Sequence, residues 1–166
     1  MRQRVWLGAA LTVSLGLCGT GAWSYAQARG DDDLSYSRAR DAALSDGRAA
    51  VAALSTLDAS TTARAKAGVT TWKSVTSGPL HTQLARLSPA AGSSSRGTVT
   101  DAAVTALDDR AGTAKLIATL RVETTPKGSK TPSTDRKRLE AVLTRTPDGT
   151  WKVKALNAVP VAEVAG

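Results

Sequence analysis

The chain has 166 residues, with 22 Lys and Arg against 14 Asp and Glu, a formal net charge of +8, a single Cys, a single His and no Phe. Cys18 is the sole cysteine and His81 the sole histidine, which excludes a disulfide framework, a multi-histidine or thiolate metal site and a Cys–His catalytic pair in the folded part.

Val5 to Ala26 (VWLGAALTVSLGLCGTGAWSYA) is uncharged over 22 residues. At about 1.5 Å of rise per residue a helix of that length crosses a hydrocarbon layer of about 30 Å. Arg2 and Arg4 precede the run, and Asp31, Asp32 and Asp33 follow it. Basic residues stay on the cytoplasmic side, so the expected topology is a single pass with the N-terminus cytoplasmic and the C-terminal domain extracellular. Trp6 near one end, and Trp23 and Tyr25 near the other, suit the headgroup belts. Ala26-Gln27-Ala28 supplies the alternative of secretion after cleavage near Ala28. Cys18 after Leu15-Gly16-Leu17 gives a third reading, a lipoprotein signal, with Leu17 standing where a small residue is expected. Gly8, Thr12, Gly16 and Thr20 recur at every fourth position and mark a face on which another membrane helix packs closely, either a second copy or a partner subunit.

Residues 1–28 are therefore read as cytoplasmic stub and transmembrane anchor, and 29–33 as a polar linker. Residues 34–97 form the helical part of an outer domain, and 98–166 its antiparallel sheet. From Leu34 the period is helical: Leu44, Gly47, Val51, Leu54 and Leu57 make one stripe, with Arg38, Arg40, Asp41 and Asp46 on the wet face. Asp58-Ala59-Ser60 interrupts with capping residues. A second helix presents Ala65, Val69, Trp72 and Val75. Ser77-Gly78-Pro79 ends it and starts a third, striped by Leu80, Leu84 and Leu87. Ser88 to Gly97 reads as a loop.

Beyond that loop the period falls to 2. Val99–Leu107 is β-prone. Leu116, Ala118, Leu120 and Val122 alternate with Thr119, Arg121 and Glu123. Pro126–Asp135 is a polar loop. Arg136–Thr146 is the next strand, with Leu139, Ala141 and Leu143 against Arg138 and Glu140; Pro147-Asp148-Gly149 is a turn, and Trp151, Val153 and Ala155 alternate with Lys152 and Lys154 in the last. Helices followed by strands read as α+β, three helices packed on a four-stranded antiparallel sheet.

The outer part keeps a basic excess. Lys127, Lys130, Arg136, Lys137 and Arg138 form a basic loop able to meet anionic lipid headgroups. No aromatic–basic platform for nucleic acid is present. His81 lacks partners for a metal site or a serine triad, and no G-x-S-x-G or Gly-rich phosphate loop occurs. Asp101 is the best candidate for an inward carboxylate, but its neighbours Thr98 and Thr100 favour an exposed position. No catalytic residue, metal site or cofactor is expected. Trp72 and Trp151 are the candidates for lining an apolar hollow between helices and sheet.

Three stretches carry a resemblance: RAAVAALSTLD (Arg48–Asp58), TSGPLHTQLARL (Thr76–Leu87) and DRKRLEAVLTRTPDGTWKVKALNAV (Asp135–Val159). Together with the N-terminal apolar run they resemble the Mce-associated membrane proteins of actinobacteria. The resemblance implies an NTF2-like, cystatin-like cone and no catalytic residues. It further implies an accessory or stabilising role beside subunits of an Mce-type envelope complex that imports lipids or sterols. Alternatives within the same architecture are a membrane-anchored NTF2-like module binding a small apolar ligand and a scaffold subunit of a secretion machine. An enzyme of the ketosteroid-isomerase type lacks its acid–base set here.

Overall fold

A computed structural model describes residues 32–160. The apolar run, with Gly8, Thr12, Gly16 and Thr20, and the last six residues lie outside the described residues. Among the described residues no helix is long and apolar enough to cross a membrane. The chain divides into a unit up to Arg38 and a second from Ala39. Within the first, 32–38 is helical and exposed.

The second unit opens with α1 (39–54), rich in Ala, the strongest helix former. Ala39, Ala43, Gly47, Ala50 and Val51 are its buried side, while Leu44 and Leu54 flank it half-buried. The stripe expected through the leucines is thus rotated: small residues sit deepest. Leu116 and Leu143, fully buried on the sheet, explain the rotation. A Cβ at Gly47 would stand 2.8 Å from one Leu143 methyl and 3.0 Å from a Leu116 methyl. Bulk supplied by the sheet leaves room only for small residues on the helix.

Leu57 is not helical, contrary to expectation. Thr56 Oγ1 donates to the Ala52 carbonyl at 2.9 Å, and Leu57 then exchanges two 2.8 Å backbone bonds with Ser95. That short bridge also explains why Ser94–Gly97, expected as loop, begins a strand. Gly97 suits the crossing, since a Cβ there would lie 2.3 Å from Ser55 Cβ. α2 (Thr62–Ser74) is capped by Thr61, whose side chain accepts from the Arg64 amide at 3.2 Å; the cap falls one residue beyond the expected Asp58–Ser60. Ala65 and Val69 are its buried residues. α3 (Gly78–Ala85) starts with Pro79 in its first turn, where the missing N–H costs nothing. Leu80 and Leu84 are half-buried, but Leu87 lies past the helix and is 49% exposed.

Four antiparallel strands follow in the order β1-β2-β3-β4: β1 (Ser94–Asp108), β2 (Thr113–Thr125), β3 (Ser133–Arg145) and β4 (Trp151–Ala158). Leu116, Ala118, Leu120 and Val122 of β2 are buried as their alternation predicts. They pair with Val104, Ala102, Val99 and Gly97 of β1. The same face continues through Ala141 and Leu143 of β3 to Val153 and Trp151 of β4. The fold is therefore α+β, three helices with a four-stranded antiparallel meander.

Two further anchors fix the layers. Arg48 Nη2 donates to the Val99 carbonyl at 3.1 Å. Asp46, expected on the wet face, is half-buried and its Oδ2 accepts the backbone N–H of Trp151 at 2.9 Å.

Candidate functional site

Trp72 and Trp151 are placed by different needs. The indole N–H of Trp72 points at the end of α1 and donates to the carbonyls of Ala53 at 2.9 Å and Thr56 at 3.0 Å. The Ala53 carbonyl also accepts the Thr56 N–H at 3.0 Å, so the ring ties α2 to the turn that ends α1. Trp151 heads β4, is 2% exposed, and lies under the Arg145 guanidinium at 5.7 Å from the ring centroid. Arg145 is itself held by Asp109 at 2.7 Å.

Three surface hollows can be described, and neither tryptophan lines any of them. One of about 220 Å³ lies beside Ala106, Leu107 and Val142. One of about 200 Å³ holds Asp101, Arg121 and Arg136. The third, about 420 Å³, lies between the α1–α2 connection and the first residues of β1, with Asp58, Arg64, Arg96 and Glu123 on its walls. Asp58 is the most perturbed carboxyl there: hydrogen bonds from the Ser60 hydroxyl and amide, then from Arg64, lower it to about 2. A carboxylate that resists protonation at an exposed turn makes a poor general acid or base near neutrality. Asp148 is lowered likewise by the hydroxyls of Thr146 and Thr150 within its turn.

His81 is exposed on α3, with Nδ1 3.0 Å from the Lys73 carbonyl. Asp101 is exposed on the outer face of β1 opposite Thr119, the placement its threonine neighbours favour. Among the described residues no group of three or more His, Cys, Asp or Glu side chains is placed to hold a metal ion.

Charge gathers instead on the β2–β3 hairpin. Arg136, Lys137 and Arg138 lie in β3, which begins at Ser133, three residues before the expected start at Arg136; the loop is correspondingly shorter and holds Lys127 and Lys130. Register sets Arg121 directly opposite Arg136, and Thr119 opposite Arg138. Like charges directly opposed across a ladder destabilise it, and Asp101 lines the same hollow as Arg121 and Arg136. Sequence reasoning placed 136–146 in a strand and left Ser133, Thr134 and Asp135 in the preceding loop. Residues 133–138 are exposed on both faces, which erases the alternation that marks a strand.

No family profile and no curated protein matches the chain. Solved structures similar to this chain include two that can be described. One is described as an "Ntf2 like protein involved in plasmid conjugation", with 12% identity, a TM-score of 0.49, and coverage of 75% of this chain and 50% of that one. The chain thus spans half the length of that protein. The other comes from Catenulispora acidiphila, with 17% identity and a TM-score of 0.32, covering 82% of this chain and 94% of the other.

Proposed function

We propose that the protein is a non-enzymatic accessory or stabilising subunit of an Mce-type lipid- or sterol-import complex of the cell envelope. In this reading the N-terminal apolar run holds it in the cytoplasmic membrane, and the outer domain is an NTF2-like cone. One observation carries the non-enzymatic part: the layer between α1 and the sheet is filled. Leu116, Leu120, Leu143, Val51 and Val153 are fully buried, and Gly47 rests against two leucine side chains. Apolar contacts among the described residues in this layer support a role carried by the surface of the domain.

The import-complex part rests on the resemblance. Two of the resembling stretches support reading them as one unit, because they meet in the fold. The Ser77 N–H donates to the Val153 carbonyl at 3.0 Å, and the Val153 N–H donates to the Val75 carbonyl at 3.0 Å. Thr76–Leu87 thus docks on the edge of the hairpin formed by Asp135–Val159.

Deleting the protein and measuring uptake of a labelled sterol or fatty acid tests the proposal, together with the steady-state amounts of the import subunits. Both fall if it stabilises the complex. A His81→Gln, Asp101→Asn double variant restores both, because neither side chain does chemistry in this reading. Unchanged uptake on deletion overturns it. So does failure of a folded, abundant double variant to complement.

A further inference from the structure

β3 is an interior strand for only part of its length. β4 pairs with it from Leu139, and the last bond on that side runs from the Val159 N–H to the Arg138 carbonyl at 2.9 Å. From Ser133 to Lys137, β3 is paired with β2 on one side, and among the described residues no backbone bond meets its other side. Among the described residues Ser133–Lys137 is therefore an open sheet edge, and its residues are exposed. An unpaired row of N–H and C=O groups is a template for another strand.

The charge on this edge selects what can pair with it. Residues 121–138 hold six basic side chains against Glu123 and Asp135. On the outer face Arg136 and Arg138 flank the edge, with Arg121 directly behind Arg136. On the inner face Lys137 and Asp135 alternate. The ion pairs among the described residues are Arg64–Asp58 and Arg145–Asp109, so the cations of the edge are not neutralised by either. Antiparallel pairing with a second copy centred on Lys137 sets Lys137 against itself and Arg136 against Arg138, which costs stability, while the register centred on Arg136 sets Arg136 against itself and Asp135 against Lys137. A basic strand meets repulsion along this edge, and an acidic one meets attraction. The charges leave one class of strand favoured.

The geometry points to the Ser133–Lys137 edge as a docking site for an extended segment of a partner protein that carries Asp or Glu at alternate positions. That segment adds as a fifth strand beside β3. Its backbone pairs with the free groups of the edge, and its acidic side chains lie on the outer face against Arg136, Arg138 and Arg121. Main-chain bonds supply the affinity and the arginines supply the choice of partner. This deepens the accessory-subunit reading by naming the edge that meets a partner, and so it rests on that reading.

The test uses the full chain in a neutral detergent and a labelled eight-residue peptide alternating Glu and Thr, blocked at both ends. Binding is expected to slow amide exchange within Ser133–Arg138 and to weaken with salt. An Arg136→Glu, Arg138→Glu variant with unchanged melting temperature binds about tenfold more weakly or worse. A peptide alternating Lys and Thr does not bind. Nor does the Glu–Thr peptide N-methylated at every second amide, in both frames, since it cannot complete a ladder. Equal binding by an N-methylated peptide overturns strand addition in favour of charge alone. Protection elsewhere in the chain, or an unaffected charge-reversal variant, overturns the site. Envelope subunits that still co-purify with the charge-reversal variant overturn the edge and leave the accessory-subunit reading standing. Their absence from the wild-type preparation overturns that reading itself.

Discussion

Trp151→Ala lowers the melting temperature of the α+β domain by about 10–20 °C, the equivalent of about 3–5 kcal/mol for removing a buried aromatic. The ring is 2% exposed at the head of β4, and it is one of only two tryptophans after Ser24 in a chain with no Phe. No other large aromatic is available in the core to close over the space, and no disulfide limits the unfolded state. The backbone of the same residue is fixed separately by Asp46, so the strand has a second hold when the ring is gone. The expected outcome is therefore a folded but much weaker domain, with Trp151→Phe intermediate. A melting shift within about 2 °C contradicts the burial and places the ring at a surface where a partner covers it.

Gly47→Leu carries the second large effect. A Cβ at this position already meets methyls of Leu143 and Leu116 at 2.8 and 3.0 Å, and both leucines are fully buried. Three further carbons have no space, so α1 must lift from β2 and β3. Overpacking of this kind costs about 2–3 kcal/mol. Gly47→Ala separates space from backbone effects. Its helix propensity gain of about 1 kcal/mol works against a small displacement of two methyls, and the net change is expected within about 1 kcal/mol. Urea unfolding of both variants measures the difference. If Gly47→Leu is as stable as the wild type, the space between helix and sheet is open, and a ligand-binding hollow becomes the better reading.

These two residues also mark what was legible in the sequence. Trp151, Val153 and the β2 residues Leu116, Ala118, Leu120 and Val122 were readable because apolar side chains alternate with polar ones and these inward positions are buried. Ala155, expected on the same face, was not: the register shift between Val142 and Leu143 sets it opposite Val142 and brings Leu156 opposite Ala141 on the core side. Nor was the buried face of α1. In a helix where alanine recurs in nearly every turn, hydrophobic periodicity marks several faces about equally, and the choice falls to size matching with leucines more than 60 residues away in the chain. Leu57 extended the apparent helical stripe because its spacing continued. The Thr56 hydroxyl and the backbone bridge to Ser95, which end the helix, leave no hydrophobic mark. Ser94–Gly97 looked like a loop by composition and became a strand by pairing with that bridge. The start of β3 at Ser133–Asp135 failed for the opposite reason to β2, since a strand end wet on both faces shows no alternation. Asp46 looked like one more wet-face acid, and only the fold reveals the Trp151 amide it meets.

The central claim is that this chain works by holding partners in the envelope. The most direct measurement is affinity purification of the tagged full-length protein from its own membranes in a mild detergent, with mass spectrometry of whatever accompanies it. The account predicts permease and lipid-binding subunits of one import complex, in constant ratio to the chain and retained in the His81→Gln, Asp101→Asn variant. Recovery of the chain alone with a stoichiometric lipid or sterol, or with components of a secretion machine, contradicts it.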